Sequence, residues 1–338
     1  MNSAVVVWLL TCAACGGGGS EQVSVPSTTG APETTSTTAL STTSTADRPV
    51  PTTALAQPAF PRTRFGVKVV TWNWVDATRP TSADGRSPAH AGRELPTRVF
   101  IPAVVGVPRM NAGPFPLFVW AHGLDATADY FDKILETIAS YGYVVAAPTF
   151  PLTWAGAAGG TVFDDYVNQP ADVSFVIGRL LDDYGPAGKV ELGLVDPTRI
   201  AVGGHSLGAV TTMGLVSNKC CIDRRVKAAI EVDGSRLPFP RGAPVARATP
   251  TLFIHGDADR EFPVSESFAM YAAAVPPKYL IVLHGVPHTP FGIPAATAVI
   301  VGTTVDFLDA YLKDSSVARQ QVVTDSQVPG LATLSFTR

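Results

Sequence analysis

Hydrophobic positions along this chain follow two rhythms that replace one another between residues 65 and 313. Residues 65–75 alternate and are rich in Val and Trp, which predicts a strand, and residues 98–101 predict a second. Residues 117–123 (Leu-Phe-Val-Trp-Ala-His-Gly) and 143–147 are instead unbroken apolar runs, the pattern of strands covered on both faces in a parallel sheet. A helix over 129–139 stands between them and stops at Tyr141-Gly142. Another is predicted over 170–184, with Asn168 as its cap, Pro170 and Asp172 in its first turn, and Gly185-Pro186 as its stop. On this pattern Asp172, Asp182 and Asp183 serve capping and solvation. Further on come a strand running into His205, a helix over 207–217, strands at 227–232 and 251–254, a helix over 264–274, a strand at 279–283 and a helix over 295–313. Strand and helix in alternation predict an α/β fold: a mostly parallel central sheet of about eight strands with helices on both faces. Residues 149–168 keep no period and read as a loop over a pocket. The residues after Ser315 read as a loosely attached tail, with 328–336 as a candidate edge strand.

Before residue 63 neither rhythm is present. Residues 1–15 hold an apolar run too short to span a bilayer and ending in small residues, as an export signal does. Cys15, after two alanines and before Gly16-Gly17-Gly18-Gly19-Ser20, resembles the acylated cysteine of a bacterial lipoprotein. The expectation is an extracytoplasmic protein, membrane-anchored through Cys15 or simply secreted, with a cytoplasmic protein as the remaining alternative. Residues 16–62 are Ser, Thr, Pro and Ala with almost nothing large to bury, a disordered tether whose ends would lie roughly 30–40 Å apart as a flexible coil. Residues 63–338 are then the folded domain.

The candidate chemistry sits where strand gives way to helix at Gly204-His205-Ser206-Leu207-Gly208. Two glycines remove Cβ atoms that would collide at a sharp strand-to-helix turn, and Ser206 is left at its apex, the pattern of a nucleophile elbow. The bland alternative is a glycine-rich turn whose serine caps the helix. A serine hydroxyl is a poor nucleophile at neutral pH and needs a histidine to take its proton and an acid to orient that histidine. His288, in Leu283-His284-Gly285-Val286-Pro287-His288, lies far enough beyond its strand to swing over the sheet edge, and His284 is the alternative. For the acid, Asp259 in His255-Gly256-Asp257-Ala258-Asp259 is preferred, with Asp257 making the turn. Asp233, at the end of the preceding strand, is the alternative acid. The backbone N–H groups of Leu207 and of Leu124, after His122-Gly123, are the candidate oxyanion donors. His205, adjacent to Ser206 in sequence, points away from the attack site and is read as structural, and His90 as solvated.

Charge and cysteines narrow the field. A net charge of −3 with no basic run argues against a nucleic-acid partner. Beyond the first fifteen residues only the neighbours Cys220 and Cys221 remain, either a vicinal disulfide in an oxidising compartment or two packed thiols. No His or Cys pair has ligand spacing with partners, so no metal is expected, and no dinucleotide fingerprint or phosphate loop implies a cofactor.

At these residues the chain resembles the α/β-hydrolase superfamily, within it the branch of bacterial cutinase-like polyester hydrolases, chlorophyllases and platelet-activating-factor acetylhydrolase-like serine esterases. The likeness runs from about residue 65 to 313. It is carried by Asp76-Ala77-Thr78-Arg79-Pro80, Ala121-His122-Gly123-Leu124, residues 139–148, Asn168-Gln169-Pro170-Ala171-Asp172, Asp196-Pro197-Thr198-Arg199-Ile200, the elbow, the segment 255–259 and His288. The resemblance implies a Ser206–His288–Asp259 triad with donors at Leu124 and Leu207, no cofactor, and an acyl-enzyme route on a small-molecule or lipid-like ester with a small to medium acyl group. Ala209 stands where many relatives have a further glycine. The aromatic clamp of the polyester-degrading members has no counterpart after Val232-Asp233-Gly234-Ser235, so polyester hydrolysis is not implied. An amidase or peptidase of the same fold, or a non-catalytic hydrolase-fold binding module, are the competing readings.

Overall fold

The computed structural model describes residues 64–83, 88–103, 113–190, 193–240 and 242–338. The expected signal, residues 1–15, and the expected tether, residues 16–62, lie outside the described residues, as does Cys15.

The chain is an α/β protein built on a single nine-stranded sheet, one strand more than its pattern suggests. The strands are β1 (Gly66–Asp76), β2 (Arg93–Ala103), β3 (Phe115–Ala121), β4 (Val144–Pro148), β5 (Val195–His205), β6 (Val226–Val232), β7 (Thr251–Gly256), β8 (Lys278–Leu283) and β9 (Ala332–Thr337). Their order across the sheet is β1-β2-β4-β3-β5-β6-β7-β8-β9. The six from β4 to β8 run parallel, while β1, β2 and β9 pair antiparallel at the two margins. The two strand rhythms of the sequence follow from this position. All seven residues of β3 and all five of β4 are buried, since helices cover both faces of a parallel sheet. The marginal β1 alternates and leaves Val69 and Val75 exposed.

Helices α1 (Asp132–Ser140), α5 (Pro294–Leu312) and α6 (Ser316–Asp325) close one face of the sheet, with Phe131, Leu135, Ile138, Ile300 and Phe307 packed among Phe118, Ile230 and Ile254. On the other face α2 (Gln169–Tyr184) buries Val173, Val176, Ile177, Leu180 and Tyr184, an i, i+3, i+4, i+7, i+11 stripe. Beside it lie α3 (Leu207–Ser217) and α4 (Ser265–Ala273). Each fully buried Leu, Ile or Phe contributes about 1.5–3 kcal/mol over its exposed state, so these two layers hold the sheet without a staple. Among the described residues α5 is long and apolar enough to cross a membrane, and here its apolar sides are largely taken up by the core.

Three expectations need correction. The residues after Ser315 are not loosely attached: α6 buries Ala318 and Val322, and β9 adds antiparallel to β8 as the edge strand that 328–336 suggested. Asn168 does not cap α2 through its side chain, which donates to Asp165 Oδ1 at 2.7 Å. Asp172 is not solvated. It is fully buried and accepts from Arg93 Nε at 2.7 Å and Nη2 at 2.6 Å and from Arg79 Nη2 at 2.6 Å, while Arg93 also grips Asp165 at 2.8 and 3.0 Å. Asp183 is buried as well, 3.7 Å from Arg179, and only Asp182 is exposed. The Arg93 cluster ties the aperiodic stretch, which ends in a 3-10 turn over Phe163–Asn168, to β2 and α2.

Candidate active site

Strand β5 stops at His205 and α3 starts at Leu207, so one residue makes the whole change of direction. Ser206 accordingly takes φ 57°, ψ −121°, a left-handed conformation that costs about 1–3 kcal/mol and must be held by its surroundings. Its N–H donates to Val232 O at 2.9 Å, and its carbonyl accepts from Ala209 N and Val210 N. The turn is also too tight for side chains beside it: a Cβ on Gly208 would lie 2.1 Å from Ala121 O, and one on Gly204 2.3 Å from Gly208 O.

The structure brings Ser206, His288 and Asp259 into one line at the carboxyl edge of the sheet. Ser206 Oγ lies 2.8 Å from His288 Nε2, and His288 Nδ1 lies 2.6 Å from Asp259 Oδ2. Because a carboxylate only accepts, Nδ1 carries the proton and Nε2 faces the serine as an acceptor. The other oxygen of Asp259 accepts from Glu261 N at 2.8 Å and Phe262 N at 3.0 Å, which fixes the carboxylate plane. His288 and Asp259 are 6% and 8% exposed, so neither dipole is averaged out by water. At the rim, the exposed Glu261 carboxylate reaches to 3.5 Å from His288 Nε2.

The loop carrying His288 is pinned from both sides. His205 donates from Nε2 to His288 O at 2.7 Å, a structural residue that holds the loop carrying His288. Asp257 accepts from Gly285 N at 2.7 Å and meets His284 Nδ1 at 2.8 Å, which makes the turn and commits His284 locally. Asp233 does not meet His288. It sits at the end of β6 with φ 51°, accepts from Gly256 N at 2.8 Å, and leaves Oδ2 buried, 3.8 Å from His205 Nε2 and without a hydrogen bond among the described residues. Burial first, and then the nearby Glu231 and Asp259, hold its carboxyl well above the usual range.

Across from the serine, the turn after β3 is held by His122, whose Nε2 accepts from Phe150 N at 3.0 Å and whose Nδ1 donates to Gly123 O at 2.7 Å. Burial keeps this imidazole neutral, down to about 4. Gly123 passes so close that a Cβ there would lie 3.0 Å from Ser206 Cβ. The next amide, Asp125 N, is taken by Thr153 O, whereas among the described residues no hydrogen bond engages Leu124 N or Leu207 N. Their side chains share an apolar cluster with Tyr166, Val210, Leu237 and Phe239, a wall against which an apolar group can lie. Two cavities of about 440 and 450 Å3 open nearby, one between α3 and α4 and one beside Trp154, and neither is lined by Ser206 or His288.

Sequence reading passed over the buried partners of Asp259. His255 Nε2 stands 3.2 Å from Asp259 Oδ2, and ligand atoms of Asp233, His255 and Asp259 lie within 4.8 Å of one another. This cluster is poorly disposed toward a cation, because both His255 nitrogens are engaged, Nε2 with Phe262 O at 2.8 Å and Nδ1 with Ser267 Oγ at 2.7 Å. Cys220 and Cys221 are joined as a vicinal disulfide in the turn after α3.

Sheet order, elbow and hydrogen-bonded line together define an α/β-hydrolase. The comparisons with known proteins support a carboxylic ester hydrolase of that fold. The family model described as Chlorophyllase matches residues 90–236, a span that includes Leu124 and the Ser206 elbow and ends before Asp259 and His288. Among solved structures the chain is similar to a ferulic acid esterase from Streptomyces cinnamoneus, at 21% identity and a TM-score of 0.57, covering 84% of this chain and 99% of that one. No curated protein matches the sequence.

Proposed function

We propose that the chain hydrolyses carboxylic esters of small to medium acyl groups through a Ser206–His288–Asp259 triad. In this reading His288 Nε2 takes the Ser206 proton as Oγ attacks the ester carbonyl. The tetrahedral oxyanion accepts from Leu124 N–H and Leu207 N–H. Collapse expels the alcohol, which leaves with the proton from His288, and a water activated by the same nitrogen then releases the acid. Asp259 keeps the imidazole in its Nδ1–H tautomer and balances the transient imidazolium.

The observation that carries the reading is the unbroken line from Ser206 Oγ to His288 to Asp259 at 2.8 and 2.6 Å, with two unengaged amides beside it. The cluster of Leu124, Leu207, Tyr166 and Leu237 favours an apolar acyl or alcohol group. The test is hydrolysis of a p-nitrophenyl ester series from acetate to palmitate, with labelling by a fluorophosphonate probe. Ser206→Ala should remove nearly all turnover and all labelling while the domain stays folded. A residual rate within about tenfold of wild type would refute the nucleophile assignment, since loss of a triad member ordinarily costs several orders of magnitude.

Export and anchoring through Cys15 belong to the same proposal and rest on the apolar run of residues 1–15 alone.

A further inference from the structure

Behind Asp259, a row of polar side chains continues into the core where the hydrolytic step needs none. Glu231 in β6, His255 in β7 and Ser267 in α4 are all fully buried. Ser267 Oγ lies 2.7 Å from His255 Nδ1 and 3.2 Å from Glu231 Oε2, and the other Glu231 oxygen accepts from Gly234 N–H.

Counting donors fixes where the protons sit. Phe262 O can only accept, so His255 Nε2 carries a hydrogen, shared with Asp259 Oδ2 at 3.2 Å. Burial lowers the His255 pKa and disfavours the imidazolium, leaving Nδ1 bare. Among the described residues the only donor within reach of Nδ1 is the Ser267 hydroxyl, which then has no hydrogen left for Glu231. The 3.2 Å contact is a hydrogen bond only if Glu231 supplies the proton.

We propose that Glu231, Ser267 and His255 form a buried relay in which Glu231 is held as a neutral acid, and that through His255 this relay positions Asp259 against His288. The proposal rests on the triad reading above. The hydrogens then run one way, from Glu231 Oε2–H to Ser267 Oγ, from Ser267 O–H to His255 Nδ1, and from His255 Nε2–H to Phe262 O and Asp259. When Glu231 gives its proton to solvent, Ser267 turns its hydroxyl toward the new carboxylate and His255 loses the partner that fixed its ring. The ring is then free to move off Asp259, and a second negative charge appears close to the acid of the triad.

Burial pushes the Glu231 carboxyl up to about 8, against the opposing pull of Gly234 N–H and Ser267, with Asp259 adding to the rise. The ionisable groups around the relay are Asp259 and His255 from β7 and its following loop, Asp233 at the end of β6, His205 from β5, His288 from the loop after β8 and Glu266 in α4. His205 and His255 are held neutral by burial. Burial favours the neutral form of Asp233 as well. Glu266 is tied to Arg236 at 3.1 Å on the surface. Loss of the Glu231 proton in the weakly alkaline range would change the charge of this pocket.

The experiment compares the full chain with Glu231→Gln and Ser267→Ala. Glutamine keeps a donor for Ser267 and cannot ionise. Between about pH 7 and about pH 9 the wild-type kcat should fall with a midpoint near 8, while Glu231→Gln holds its own pH 7 value across the range. Ser267→Ala, which removes the donor to His255, should lower kcat about tenfold at every pH with KM little changed, as expected of a positioning residue. Infrared difference spectra read the relay without turnover. Wild type should show a carboxylic-acid C=O band at neutral pH that fades near 8 and is missing from Glu231→Gln. Superimposable wild-type and Glu231→Gln rate profiles, or the lack of that band, would overturn the relay. Failure of Ser206 to label with a fluorophosphonate would instead overturn the triad reading, and the infrared result would still decide the state of Glu231.

Discussion

Arg93 is the residue whose removal the fold should tolerate least. The residue is 1% exposed and its guanidinium spends all three nitrogens on Asp172, which is fully buried, and on Asp165, which is 5% exposed. Arg93→Met keeps most of the volume and deletes the charge. Breaking a buried ion pair by removing one partner costs about 3–5 kcal/mol, because the other charge stays desolvated and alone. Here two carboxylates are stranded together, and the remaining help is Arg79 Nη2 on Asp172 and Asn168 Nδ2 on Asp165. The expected loss is therefore about 4 kcal/mol or somewhat more, a large fraction of the 5–15 kcal/mol typical of a whole domain. Burial already raises the Asp172 pKa against the pull of Arg93 and Arg79, and without Arg93 the carboxyl rises further. A raised carboxyl binds a proton in the native state that the unfolded chain has released, so the defect should shrink as pH falls toward about 5 and widen toward about 8. Urea unfolding of wild type and variant at those two pH values, followed by circular dichroism, measures both quantities. A loss under about 1 kcal/mol, or one independent of pH, would refute the argument that these charges depend on Arg93. Since the cluster anchors the turn that presents Tyr166 to Leu124 and Leu207, folded Arg93→Met should also lose activity.

Two further outcomes follow from features already described. His122 is neutral in the native state down to about 4 and takes a proton near 6.5 when unfolded, so its contribution is complete above 6.5 and is lost as pH falls toward 4. In urea titrations across that window the wild-type stability should fall more steeply than that of His122→Gln, by about 1.4 kcal/mol per pH unit, and equal slopes would count against a neutral His122. If Cys15 is the anchor, cells given labelled palmitate should incorporate it into the wild-type chain, and Cys15→Ser should release unlabelled protein to the medium; equal labelling of both would exclude acylation there.

The parts of this molecule legible in the sequence are those set by short spacing. The elbow is five consecutive residues whose two glycines are imposed by backbone so near that an added Cβ would lie 2.1–2.3 Å from a carbonyl oxygen, so it shows as a motif. Asp259 and His288 each follow a buried strand and reach the sheet edge by chain connectivity, which made them candidates before any contact was known. The Arg93 cluster was illegible for the opposite reason. Asp172 lies 79 residues from Arg93, and its place in the first turn of a helix already has a sufficient local explanation, so the sequence offers no reason to look for a distant partner. His255 and Glu231 were overlooked similarly: both lie within strands that read as apolar runs, and only the approach of α4 with Ser267 turns them into a polar row. The tail misled because α6 has little amphipathic contrast, and its attachment comes from β9 pairing with a strand some fifty residues earlier.

That last pairing reaches further than the sheet margin. Strand β9 covers what would otherwise be the open flank of β8, a flank on which another chain's strand could add. Where β8 ends, the same C-terminal segment continues the bonding: His284 N donates to Leu331 O at 2.7 Å, and His284 Nε2 meets Thr333 Oγ1 at 3.1 Å. Four residues on from His284 is His288. Leu331 and strand β9 therefore grip the root of the loop that carries the proposed base, so a lesion in residues 331–337 is expected to disturb the proposed site as well as the sheet margin.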